Sequence, residues 1–249
     1  MTNQLTNFTK KGQTVTLDYE HGSITLTVLT PEIIRIFQDR GNASNSYAIE
    51  GDKEIKTDFN VENKGDHAEL TTEKLVIKAY DDEKIDVYDE KGNPLILDYR
   101  EKRTPIDRQL DEEHLKLAES EGHDMKKLGQ HDQNYYEIIK SLASDEQFYG
   151  LGDKTGYLNK RHYAYDNWNT DNPDPQVESF TRLYKSIPIL LGLKNGHPYG
   201  IFFDNTYRNH IDLGKESNNY YYYSAVNGNI DYYVIGGASL KEVITNYTY

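Results

Sequence analysis

The chain contains no cysteine. No disulfide can staple it and no thiolate can hold a metal, which fits a reducing compartment. Tryptophan occurs once, at Trp168, and proline only 7 times in 249 residues. The opening residues, MTNQLTNFTKKGQTV, lack the apolar run of a secretory leader. No later stretch approaches the roughly 20 apolar residues that span a bilayer as a helix. These absences predict a cytoplasmic protein without membrane contact. The Asn-x-Ser/Thr triplets at Asn7, Asn42 and Asn246 then count as chance matches to the glycosylation pattern.

Basic residues are also in short supply. Lys and Arg total 28 against 41 Asp and Glu, a net charge of −13. Nucleic-acid phosphates would be repelled rather than exchanged for counterions, which excludes that class of partner. Anionic lipid surfaces and strongly anionic ligands fall to the same objection, whereas a neutral sugar does not. No HxH or HExxH spacing brings histidines together as metal ligands. The run DNWNTD at 166–171 lacks the central glycine and closing glutamate of a calcium loop. Gly150, Gly152 and Gly156 are not followed by the lysine and helix of a phosphate cradle. No metal and no cofactor is expected.

What the chain has in plenty is β-forming residues, including 22 tyrosines. Residues 23–28, SITLTV, alternate with period two after a His21-Gly22 turn. Further strands are predicted over 69–80, 84–88 and 95–99, with turns at Asp81-Asp82 and at 91–94. Others follow over 184–191, 199–204, 210–213, 220–225 and 230–235. Such short strands at regular spacing indicate an antiparallel sandwich or closed β-fold. The four tyrosines at 220–223 read as one of these strands, with rings on both faces. Residues 107–128 scatter leucines through charge and read as a surface insertion. Ser239 suits the N-cap of a helix over 240–247.

The densest signal is FYGLGDKTGYLNKRHYAYDNWNTD at 148–171. Its YGLG turn and its "WN-D" loop resemble the family 31 glycoside hydrolases, the α-glucosidases and α-xylosidases. The likeness continues through LYKSIP at 183–188, GIFFDN at 200–205 and DYYVI at 231–235, and ends at VITNYT, 243–248. It implies a galactose mutarotase-like antiparallel β-supersandwich over residues 1–238. It also implies that residues 239–249 begin a helical linker towards a catalytic (β/α)8 barrel of the same polypeptide.

By this resemblance Asp171 is the loop carboxylate that bonds the hydroxyls of a small α-glucoside or oligosaccharide in the barrel's active site; the residues alone also fit an aspartate that only organises the turn at 170–173. Trp168 covers the sugar or pins the loop, with Asn169 and Asn172 as further substrate-binding candidates. Pro173 and Pro175 stiffen the loop, a second acid, Asp174, departs from many relatives, and Arg161 and His162 are expected to support its base. Retaining glycosidases need two carboxylates about 5–5.5 Å apart. The family's "DMNE"-type nucleophile segment does not occur here. No catalytic residue is therefore assigned, and the chain alone is expected to be inactive. The leading reading is the N-terminal domain of an α-glucosidase. The alternatives are an α-xylosidase domain, a free-standing sugar-binding or aldose-epimerase-like module, and a purely structural domain.

Overall fold

The computed structural model describes residues 2–43, 46–49, 56–103, 134–173 and 175–248; the whole charged 107–128 segment, and Asp174, lie outside them. Strand β1 (Leu5–Lys11) opens a meander with β2 (Thr14–Tyr19), β3 (Ser23–Thr30) and β4 (Ile33–Gln38). In β2 to β4 alternate residues are buried: Val15 and Leu17, Ile24 and Leu26, Ile34 and Ile36. That is the period-two face a pleated strand gives to a core.

Strand β5 (Asn60–Asn63), β6 (Ala68–Thr71), β7 (Leu75–Ala79), β8 (Ile85–Asp89) and β9 (Pro94–Ile96) form a separate antiparallel sheet in sequence order. The single run expected at 69–80 is in fact a hairpin. Thr72 breaks it, its hydroxyl accepting from the amides of Lys74 (3.2 Å) and Leu75 (2.9 Å). This threonine turn carries no glycine or proline and gave no punctuation signal.

The remaining strands are β10 (Tyr136–Ser141), β11 (Gln147–Gly152), β12 (Ala164–Asn167), β13 (Ser186–Lys194), β14 (His197–Phe203), β15 (Asn209–Asp212), β16 (Tyr220–Ala225) and β17 (Ile230–Gly236). β17 pairs with β4 and extends the first meander to eight strands, in the order β1-β2-β3-β4-β17-β14-β13-β11. The other four form the sheet β10-β16-β15-β12. An Asp98↔Lys140 bridge joins this sheet to the far side of β9. The two smaller sheets thus make one layer against the large one. A single hydrophobic cluster, including Leu17, Ile77, Phe203 and Tyr223, runs through all three. Every strand pair is antiparallel.

All four tyrosines of β16 are buried. Tyr221 and Tyr223 enter the core, Tyr223 stacked on Phe203 at 4.1 Å. Tyr220 and Tyr222 turn to the other face, where Arg103 lies 3.8 Å over the Tyr222 ring. The surface they meet belongs to this chain.

Helix α1 (Leu240–Thr248) follows, with Ser239 Oγ accepting the Glu242 amide at 3.1 Å, the N-cap expected. Its Val243 seals a small outer cluster of Phe202, Tyr233 and Ile235 on the large sheet.

Close approach of backbones decides where the large sheet can pack. Gly192 stands opposite Tyr199 across β13 and β14, and a Cβ there would lie 2.0 Å from the buried ring. We expect Gly192→Ala to cost at least about 2 kcal/mol in urea unfolding, because overpacking at a filled site forces ring or backbone to move. A loss below about 0.5 kcal/mol would show that the ring is free to shift.

Candidate functional site

The site is set up by the end of β11. Gly150, Leu151 and Gly152 all have positive φ, +99°, +69° and +80°. A Cβ at Gly150 would sit 2.5 Å from the Ile189 carbonyl, and one at Gly152 2.7 Å from that of Lys185. Only glycine fits those two positions. The non-glycine between them, Leu151, is held by complete burial of its side chain. The kink leaves a bulge against β13 and turns the chain out of the sheet.

From there a ladder of bonds fixes the loop between β12 and β13. The Asp166 amide donates to the Thr181 carbonyl (3.1 Å) and that of Thr170 to Leu183 (3.0 Å). Asn169 Oδ1 accepts from the Ser186 amide at 2.8 Å, and Tyr184 donates to the Asn172 carbonyl at 2.6 Å. Lys154 Nζ reaches both the Asp166 carbonyl and Ser186 Oγ, each at 3.3 Å.

The four residues proposed for the loop therefore occupy one turn but differ in position. Asp171 is exposed, and no hydrogen bond or ion pair holds its carboxylate among the described residues. Trp168 is 49% exposed. Asn169 is exposed as well, yet its side-chain oxygen serves as a latch. Asn172 is half-buried. Arg161 and His162 do not support this loop. Arg161 donates to the carbonyls of Ala143 (2.7 Å) and Glu146 (2.8 Å), and His162 Nδ1 meets the Gly214 carbonyl at 2.9 Å. Their side chains are spent instead on carbonyls of the 143–146 turn and of Gly214, where His162 itself is left-handed (φ +68°).

The groups that do support the base are far apart in sequence. Asp166 on β12 faces His210 on β15 in register, with Oδ1 2.8 Å from His210 Nδ1 and Oδ2 3.2 Å from Arg208. These partners, His210 first, hold the Asp166 carboxyl below the usual range despite its burial.

Beside the loop lies a cleft of about 480 Å³. Its lining includes Trp168 and Asn169, the apolar Pro188 and Phe202, and the segment 204–207.

With this geometry in hand, comparisons with known proteins place the chain. A family model described as the glycosyl hydrolase 31 N-terminal galactose mutarotase-like domain matches residues 23–212. The chain belongs to that family. Over 110 residues it is 41% identical to α-glucosidase 2 of Bacillus thermoamyloliquefaciens, a match covering 44% of this chain and 14% of that enzyme. It is 33% identical over 115 residues to α-xylosidase XylQ of Lactiplantibacillus pentosus, covering 46% of this chain and 14% of the enzyme. Among solved structures, the Flavobacterium johnsoniae family 31 dextranase superposes with a TM-score of 0.79 at 30% identity. That superposition covers 98% of this chain and 28% of the dextranase chain. This family 31 domain is thus a small part of each relative's length.

Lys154 gives the loop base a pH signature. Burial pushes its ammonium down to about 8 against the upward pull of Asp166 and Asp153, from an ordinary 10.5. Below pH 8 both folded and unfolded chains hold the proton, and the burial penalty is fully present. Between about 8 and 10.5 the unfolded chain binds a proton that the folded chain has released, so stability rises with pH. Lys154→Met removes this linkage while the tyrosine titrations remain common to both proteins. The stability difference, wild type minus variant, should therefore move towards the wild type from pH 7.5 to 10 in urea titrations. A shift the other way contradicts the assignment.

Proposed function

We propose that this chain is the N-terminal domain of a retaining α-glycosidase, most simply an α-glucosidase, that hydrolyses O-glycosidic bonds in carbohydrate metabolism. Residues 1–238 are the β-domain and 239–249 begin the link to a catalytic barrel in the same cytoplasmic polypeptide. The loop at 168–172 reaches that barrel's active site and contacts a small α-glucoside or oligosaccharide.

The observation that carries this reading is Asp171, an exposed carboxylate on a loop whose backbone is laddered at both ends. Ordinary turn-forming aspartates spend their oxygens on nearby amides. Asp171 keeps both for an outside donor, and two adjacent sugar hydroxyls suit a carboxylate. The α-glucosidase likeness favours a glucoside substrate, and the solved dextranase is described in complex with glucose. A second reading, an α-xylosidase, has support in the 33% identical XylQ. In either case the acid pair needed for turnover would sit on the barrel.

Two measurements test this reading. In the full-length parent enzyme, Asp171→Ala should lower kcat/KM by roughly ten- to a hundredfold, the worth of one hydrogen bond to a charged group. An unchanged kcat/KM would remove the loop's substrate role. The purified 249-residue chain should not turn over an aryl α-glucoside, and measurable release of the phenol would place catalytic carboxylates within it.

A further inference from the structure

We propose that the cleft beside the loop is a pocket for one glycosyl unit on this domain itself, with Asn167 and Asp204 as its hydrogen-bond acceptors. This goes beyond the loop reading, since the site lies on β12 and just after β14 and does not require a barrel.

Asn167 and Asp204 both line the cleft. Asn167 is only 6% exposed, and its Oδ1 has no hydrogen-bond partner among the described residues. Its orientation is fixed, because Nδ2 donates to Asn209 Oδ1 at 2.7 Å. Asn209 does not return the bond: it faces Asn167 with Oδ1, and its Nδ2 donates to the Tyr207 carbonyl at 3.0 Å. Asp204 Oδ2 is likewise buried and, among the described residues, unpartnered. Buried acceptors without donors are rare in folded proteins and call for an explanation.

The missing partner must supply donors and must not be an anion. A cation is less needed than it looks. Arg35 already forks onto Asp231 at 2.8 and 2.5 Å, and its charge also senses Asp204. Neutral hydroxyls answer the remaining need. The half-exposed rings of Trp168 and Tyr207 offer flat faces for the apolar side of a pyranose. A volume of about 480 Å³ lies within the usual range for small-ligand clefts. Neither acceptor is open to bulk solvent, so hydroxyls reach them only by turning a neighbouring side chain aside. Weak binding follows, with a Kd on the order of millimolar.

Trp168 is the only tryptophan, so its fluorescence and its indole N–H resonance report on this cleft alone. The 249-residue chain is titrated with methyl α-glucoside, with maltose and, separately, with methylguanidinium. The proposal expects both sugar signals to saturate, and Asn167→Ala or Asp204→Asn to weaken binding about fivefold or more. Tyr207→Ala alters an exposed rim residue and should weaken binding with the circular dichroism unchanged, which keeps the test valid if a buried variant misfolds. The proposal is overturned by a sugar response that stays linear to roughly 100 mM. Equal affinity in all folded variants also overturns it. So does saturation by methylguanidinium in place of sugar, which would mark the cleft as a seat for a cationic protein side chain.

Discussion

The close approach of two backbones at the end of β11 governs the rest of the molecule's functional side. Carbonyls of β13 and its lead-in lie where Gly150 and Gly152 would carry Cβ atoms. Two glycines in left-handed conformation are the cheapest answer, since any L side chain pays both strain and clash. Leu151, left-handed between them, costs of order 1 kcal/mol, and burying a leucine side chain returns about 1.5–3 kcal/mol. Burial wins, so the kink is stable as well as sharp. From it follow the exit of the chain from the sheet, the seating of Lys154 under the loop, and the placing of residues 168–172 at the cleft.

The same economy operates where charge is buried. Glu146 is fully buried beneath the large sheet, accepting from Tyr199 at 2.5 Å and from the Ala143 amide at 2.8 Å, with Lys194 at 3.9 Å. Burial lifts its carboxyl above the usual range despite these partners. Lys140 is the opposite case. Burial pulls its ammonium down, yet Asp98 at 2.5 Å and the Tyr232 hydroxyl at 3.2 Å hold it above its ordinary value. Lys140 links β10 to β17 and so ties the two layers. Removing one member of such a pair costs more than the pair contributes, because an uncompensated buried charge is left behind. These groups fix the relation of the layers more than they add net stability.

Much of the fold could be read from the sequence because half-buried strands announce themselves by alternation. β3, β16, β17 and the Ser239-capped helix lie where residue pattern places them. β1 and β5 carry no such signal, for a physical reason. Both sit at sheet edges and are mostly exposed, with Lys10, Lys11 and Glu62 at polar positions, so no alternation survives. Charged edges suit strands that must not pair with other molecules, and they erase the signal. β12 has only four residues, too few to show a period. At the site, the turn and loop were legible as a motif, including Asp171. Asp166, Lys154, His210 and Asp204 were not, because they are set by strand register and packing between segments up to 56 residues apart.

That division also separates the two parts of the candidate site. The loop is a local device: its ladder of bonds spans residues 166–186, so its shape is encoded in one stretch. The cleft beside it is a product of the sheets, since Asn167, Asp204 and Asn209 meet only after β12 has paired with β15 and the chain has left β14. A loop of this kind can change its tip without disturbing the core. The cleft cannot, because each change at Asn167 reaches Asn209 and through it the Tyr207 backbone. The loop tip and the cleft can therefore vary independently of each other.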